Sequence, residues 1–475
     1  MLRKRHSERL RDAELRAVAR REWRGALLAG ACGVAALLAM PTSPLAAQQV
    51  GQITYDTYTL TNGLTVVLSE DHTTPVVTVN VWYHVGSANE TPHHSGFAHL
   101  FEHMMFQGSA HVKKSEHMQL VERAGGSMNG STTDDRTNYF ESLPSNRMNL
   151  GLWLEADRMR SLAVNQTNFE NQRQTVEEER RLGVDNQPYA KAFLGALTAP
   201  FDSSGCFAYA HSTIGEYADL NAATVDEVRS FHSEYYAPNN AVLAVVGDFN
   251  PAQARGLIQQ YFGDIPRVPA PPAVSCVYRY GTGAKQLTVT DSNATLPAVV
   301  LIYTAPPQRD SDTPALDLLA SVLATGESSR LNRSLVRDAR AAVTTGGGSN
   351  SYREAGVAIF LAIDNQGVPA QRVDSLLNAV IDQVRNDTVS TAELTKVKNQ
   401  YRSDAIRSRQ TTMGVAEALQ SALWFDGSPG AANEDVARHL AVTAADLQRV
   451  ARKYLDPANQ LVLIVNPPAK SGGAH

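Results

Sequence analysis

The stretch VVTVNVWYHV, residues 76–85, alternates apolar and polar positions, the period of a β-strand with one face on a core. Before it, LTNGLTVVL sets an Asn62–Gly63 turn ahead of a β-branched run, the pattern of a hairpin leading into a strand. Helical periodicity then takes over around HLFEH (99–103), over 113–124 up to Gly125–Gly126, in NRMNLGLWLEADRMRSL (146–162) and over 168–182. Met148, Leu152 and Met159 share one face of their helix and are expected in the core. SMNGSTTDD and TNYFESL, lying between these helices, read as strands.

Two distant segments follow one plan. TVDEVRSFHSEYYAPNNAVLAVVGD begins at Thr224 and TAADLQRVARKYLDPANQLVLIVNP at Thr443, a constant offset of 219. In that register Thr224 meets Thr443, Tyr235 meets Tyr454, Pro238 meets Pro457 and Asn240 meets Asn459. Each copy predicts a capped amphipathic helix, a Pro–Asn turn and a buried strand, so the chain reads as a duplication. IPRVPAPPAVS (265–275) carries four prolines, which forbid a regular helix or central strand and favour an extended linker. The expected organisation is a first domain over 48–264, a linker over 265–280, a second homologous domain over 281–468 and a tail over 469–475. Helices interleaved with hairpin strands place each half in the α+β class, antiparallel sheet packed against helices.

Composition narrows the class. At 475 residues, 43% hydrophobic and 19% charged, the chain is neither disordered nor a membrane bundle. Residues 1–24 hold nine Lys/Arg against four acids, followed by the apolar GALLAGACGVAALLAM and by PTSPLAAQQ. That is an export signal over 1–47, cut after Ala47, which directs the protein to the periplasm or outside the cell and leaves no transmembrane anchor. Cys32 lies inside the apolar run rather than after it, so a lipid-anchored form is not expected. Without the leader the net charge falls from −5 to −10, which excludes a nucleic-acid partner. Cys206 and Cys276 remain; in an oxidising compartment they either join as a disulfide or stay free.

Candidate chemistry centres on HLFEH. Side chains four apart lie on one helix face, so His99 and His103 can both present a nitrogen to one tetrahedral metal ion. Glu102 shares that face, to the side, where it can hold a water and take its proton. A third ligand is sought in FENQRQTVEEERRL (169–182). Taking Phe169, Val176 and Leu182 as the buried arc, Glu179 falls inside it and Glu177 and Glu178 outside. A buried carboxylate without a partner is costly, so Glu179 asks for a cation. His93 and His94, on a polar turn, are expected in solvent.

On these residues the chain resembles the insulinase/pitrilysin-type zinc metallopeptidases with the HxxEH motif, and within them the bacterial branch similar to mitochondrial processing peptidase. The likeness runs over about residues 55–467 and includes GGSMNGSTTDDRTNYF and YYAPNNAVLAVVGDF. Glu179 stands 76 residues after His103, the family's spacing to its third ligand. The resemblance implies two homologous α/β-roll domains closing as a clamshell on an unfolded peptide. It implies one Zn2+ per chain held by His99, His103 and Glu179, with Glu102 as general base. It implies that Met128, Asn129, Gly130, Ser131 and Thr132 pair with the substrate as an added strand.

Two positions depart from the family. Gln172 stands where the family's ligand helix usually carries a second glutamate, seven residues before the ligand; its amide can hydrogen-bond there but supplies no charge. Arg337 matches the family's substrate-binding arginine, but Thr344 stands where a tyrosine follows it, and Tyr352 is too far along to replace it. Some bacterial relatives divide the zinc motif and the Arg/Tyr pair between two chains. The expectation is therefore a zinc endopeptidase acting as the zinc-bearing subunit of a homologous heterodimer, with a homodimer as the other assembly. The alternative is a non-catalytic subunit that keeps the peptidase fold.

Overall fold

The Asn62–Gly63 turn forms as its sequence predicts. Gly63 takes a φ of +95°, and the Asn62 amide donates to the carbonyls of Phe262 and Ile265 at 2.8 and 2.9 Å. The structure is a computed structural model that describes residues 50–278 and 285–469; the export leader and the end of the tail lie outside the described residues.

The first half opens with β1 (Asp56–Thr59), β2 (Thr65–Glu70) and β3 (Val76–Tyr83). Helices α1 (Phe97–Met104) and α2 (Glu116–Arg123) lead to β4 (Ser127–Thr132) and β5 (Thr137–Pro144). Then come α3 (Met148–Ser161), α4 (Gln166–Arg180), α5 (Ala190–Thr198), α6 (Tyr217–Ala222) and α7 (Val225–Tyr235). This half ends with β6 (Ala241–Gly247) and α8 (Pro251–Phe262). Residues 266–278 carry no regular secondary structure, as four prolines dictate.

The second half has β7 (Lys285–Thr290), β8 (Ala298–Ala305), α9 (Thr313–Ala324), β9 (Ala342–Ser351) and β10 (Gly356–Asp364). Helices α10 (Ala370–Asn386), α11 (Thr391–Ser408), α12 (Thr412–Asp426), α13 (Ala431–Ala441) and α14 (Ala444–Tyr454) precede β11 (Gln460–Asn466).

The sheet orders are β1-β2-β6-β3-β5-β4 and β7-β11-β8-β10-β9. Dropping β1, the two coincide strand for strand, with one parallel pair in each, β2 with β6 and β7 with β11. Side chains repeat as well. Thr224 and Thr443 each cap their helix in a capping box, and the Asn240 and Asn459 amides donate to the Tyr235 and Tyr454 carbonyls at 2.9 and 2.7 Å. The halves are homologous.

Each sheet packs its own helices on one face, where Met148, Leu152 and Met159 are buried as expected. The opposite faces are covered by exchange. Ala416, Leu419 and Ala422 of α12 and Ala431 and Ala432 of α13 lie on Val67, Val242, Ala244 and Val246 of the first sheet. Reciprocally, Ala196 of α5, with Ala192, Phe193 and Ala199 around it, lies on Val300, Ile302, Leu461 and Leu463 of the second. This corrects the one-sided reading of residues 76–85. From Val77 to Tyr83 every side chain of β3 is buried, because the polar positions Thr78 and Asn80 face α12 rather than water. Cys206 and Cys276 form a disulfide, tying the first half to the segment after it.

Candidate metal centre

Helix α1 starts at a fixed point. Gly96 has a φ of +90°, and a Cβ there would lie 2.8 Å from the Gly215 Cα. The carboxylate of Glu90, fully buried, accepts from the Gly96 and Ala98 amides at 2.9 and 2.8 Å, so an acid satisfies the free amide groups of the first turn. His211 donates to the same carboxylate at 2.9 Å and to the Phe207 carbonyl through Nδ1 at 2.8 Å. Phe97, Leu100, Phe101 and Met104 pack into the core. His99 and His103 lie on the helix face that meets α4.

There the His99 and His103 Nε2 atoms are 3.2 Å apart. The Glu179 Oε2 lies 3.2 Å from His103 Nε2 and 3.6 Å from His99 Nε2. A tetrahedron with metal–ligand bonds near 2.05 Å has edges of about 3.3 Å, so the three atoms form one face of a zinc-sized site. Burial, helped by His103, lowers His99 to about 4, which leaves its imidazole neutral and free to ligate at neutral pH. Glu102 is pushed up by burial and pulled back by the Thr132 side chain and by His103. A carboxyl raised from its ordinary value is a better match to a base working near neutrality.

Glu179 arrives here by a different route from the one the periodicity gave. Its side chain is 51% exposed, and so is Leu182, also 51%. The buried stripe of α4 runs through Phe169, Gln172, Val176 and Arg180, and a π-turn over Arg181–Asp185 carries Leu182 outward. Glu179 stands at the margin of the stripe, its carboxylate directed at the two histidines. Glu178 pairs with Arg181 in solvent, as expected of it. His93 is exposed, and His94 lies against Phe97 and Glu227; neither joins the triad.

The segment Met128–Thr132 is the edge strand β4, hydrogen-bonded to β5 on one side alone. Its outer edge is open to a further strand. A Cβ on Gly130 would meet the Tyr139 and Phe106 rings at 3.0 and 3.2 Å, so a glycine keeps this strand close to the helix layer. The Gln172 amide is buried and donates to Asn171 at 2.7 Å, not to any of the three candidate ligands. Arg337, in a π-turn over Asn332–Asp338, is exposed and has no ion pair or hydrogen bond through its side chain among the described residues. Thr344 is exposed on β9, whereas Tyr352 is buried and stacks on Tyr209 with ring centroids 4.6 Å apart.

Three groups that hold the site have no local sequence signal. Glu90 and His211 are 121 residues apart. Arg180, beside the candidate ligand, donates to the Gly215 carbonyl and to Glu216, which locks α4 onto the loop against which Gly96 packs. A second cluster, His117, Glu141 and Glu155, also brings its ligand atoms within 4.8 Å of one another. The buried Arg158 guanidinium already fills it, paired with Glu155 and Glu141, so a cation is in place there.

Comparison with known proteins matches two family models: Insulinase (Peptidase family M16) over residues 65–201 and Peptidase M16 inactive domain over 222–401. The zinc protease PqqE of Helicobacter pylori is 30% identical over 416 residues, 87% of this chain and 93% of that protein. A probable mitochondrial-processing peptidase subunit beta of Arabidopsis thaliana is 22% identical, over 86% of this chain and 78% of that one. The crystal structure of a protease from Helicobacter pylori superposes with a TM-score of 0.82 at 30% identity, covering 87% of this chain and all of that one.

Proposed function

The chain belongs to the insulinase family, peptidase family M16, and we propose that it is an exported zinc-dependent endopeptidase cleaving peptides or unfolded segments. The observation that carries this reading is the 3.2–3.6 Å triangle of His99, His103 and Glu179 with Glu102 beside it. The donor set, two imidazoles and one carboxylate, suits Zn2+. When bound, the zinc supplies Lewis-acid activation of water and of the scissile carbonyl. Glu102 takes the proton of the attacking water and returns it to the leaving amine. Thr132 fixes the Glu102 carboxylate, and β4 binds the peptide backbone as an added strand, which gives affinity with loose sequence preference. Export is supported by the leader pattern of residues 1–47 and by the Cys206–Cys276 disulfide. No helix among the described residues is long and apolar enough to cross a membrane.

The chain acts as the zinc-bearing subunit of a homologous heterodimer. Support comes from Arg337, exposed and unpaired among the described residues, and from Thr344 at the position of the family's tyrosine. Losing one hydroxyl donor at a transition state costs roughly 10²–10³ in rate. The test is cleavage of an unfolded polypeptide by the zinc-loaded chain, alone and mixed with a homologue that lacks HxxEH but has the Arg/Tyr pair. Activity appearing on mixing, and lost on chelation, is expected. Full activity of the single chain, unchanged by the homologue, would contradict the heterodimer.

A further inference from the structure

Beyond the last residue of β4 a cavity of about 690 Å³ opens between the two halves. Its wall includes Thr132 and Arg136 at the end of the edge strand, Trp82 of β3, Tyr352, and Glu417 and Phe425 of α12. Thr132 is the residue that meets Glu102. The charge of Arg136 is favoured by both Glu417 and Glu102. A peptide added to β4, as in the reading above, would run past Thr132 toward this cavity, advancing about 3.3 Å per residue.

Glu417 is built into the wall with unusual care for a surface carboxylate. Its Oε1 accepts from the Asn80 amide at 2.9 Å, the Trp82 indole at 3.1 Å and the Asn138 amide at 2.8 Å. Asn80 and Asn138 are fully buried. Three donors on one oxygen fix the carboxylate, while no hydrogen bond reaches Oε2 among the described residues, and Glu417 lines the cavity. Among the described residues no cation lies within ion-pair distance of it. Arg136, the nearest candidate, spends its Nη1 on the Ser131 carbonyl and on Asn138 at 2.8 and 3.1 Å. The other two acids of the wall are less available: Asp135 takes the Tyr209 hydroxyl and the Arg353 amide at 2.8 and 2.9 Å, and burial pushes Asp135 up to about 6 and Asp134, with Asp135 beside it, up to about 7. The wall therefore offers one fixed carboxylate oxygen without a hydrogen-bond partner among the described residues.

We infer that Glu417 is a specificity-determining residue, receiving a lysine or arginine side chain of the substrate in this cavity; the inference rests on the peptidase reading above. A charged partner completes Oε2 with a charge-assisted hydrogen bond, an apolar one leaves it unpaired, and an acidic one is repelled. The carboxylate comes from α12, so the second half reads the side chain while the first half supplies the candidate metal site.

The test uses matched peptides with Lys, norleucine or Glu placed at each position around the scissile bond, and the zinc-loaded full chain with the homologous partner if one is needed. Wild type is expected to favour Lys over norleucine by about tenfold or more in kcat/KM at one position. Glu417→Gln keeps a carbonyl oxygen for the three donors and turns an amide toward the cavity; it should bring the ratio to within about twofold. Ser421→Arg, which places a cation in the same wall, should do likewise, and it replaces the first variant if that one melts early. A wild-type ratio near one at every position, or a ratio unchanged in a folded variant, overturns the inference. If wild type cleaves nothing, the peptidase reading fails by itself. Peptide affinity of Glu102→Gln, read by fluorescence anisotropy, then decides: a Lys preference lost with Glu417→Gln supports the cavity, and equal affinities overturn it.

Discussion

Glu179 Oε2 stands 3.2 Å from His103 Nε2, joining a helix of one sequence region to another 76 residues away. Two groups that both present lone pairs approach this closely when a proton or a metal ion sits between them. Glu179→Gln and His103→Ala should each weaken zinc binding by more than the roughly 10–100-fold typical of losing an outer-shell partner. Competition with a fluorescent chelator measures it; wild-type affinity in either variant would remove that residue from the metal site.

Glu90 holds the start of α1 through two backbone amides and His211. Glu90→Ala leaves buried donors unsatisfied and should cost about 1–3 kcal/mol in stability. Urea unfolding of the metal-free protein reads this directly, and an unchanged midpoint would mean that the helix start is held by packing alone.

The Cys206–Cys276 bridge closes a separation of 70 residues. Replacing both cysteines by serine should lower stability by about 2–4 kcal/mol, with the oxidised wild type as reference. Thermal melts with and without reductant provide the comparison: reductant should shift wild type and leave the double variant alone.

Arg330 donates to both oxygens of Glu393 at 2.9 and 3.0 Å, pinning the segment just ahead of Arg337. This pairing, more than any other influence, holds Glu393 down to about 2. A carboxyl lowered in the folded state contributes stability that is full above its unfolded value, near 4.3, and is lost as pH falls toward 2. The stability gap between wild type and Glu393→Gln should therefore be constant from pH 7 to about 5 and shrink below about 4. A gap that does not change with pH would assign the effect to the capping of α11 instead.

Much of the site was legible because it is local. The i, i+4 spacing of His99 and His103 and the strand character of Met128–Thr132 follow from short stretches of chain, whereas the edge position of that strand came only from the family resemblance. The duplication was legible too, since an ungapped offset joins two helix–turn–strand units and the strand orders agree. Glu179 was reached through a mistaken premise. Periodicity assumed that the helix continues to Leu182, but α4 gives way to a π-turn, and the acid lies half exposed rather than in the core. Glu90, His211, Arg180 and Glu417 left no trace in the sequence, because each acts on a partner that only the folded topology brings close. The exchange of α5 and α12 between the halves was hidden for the same reason. An amphipathic helix declares that it will be covered, not by which sheet.

The central claim is that Glu102 does chemistry beside a zinc ion that it does not bind. Glu102→Gln keeps the size of the side chain and removes its basicity. Metal analysis of the purified variant alongside peptide cleavage, with the partner chain if activity needs one, tests this most directly. The account predicts one zinc per chain, as in wild type, and cleavage reduced by at least about 10²-fold. Wild-type cleavage by a zinc-loaded Glu102→Gln protein, or a wild-type protein that cleaves without zinc, would contradict it.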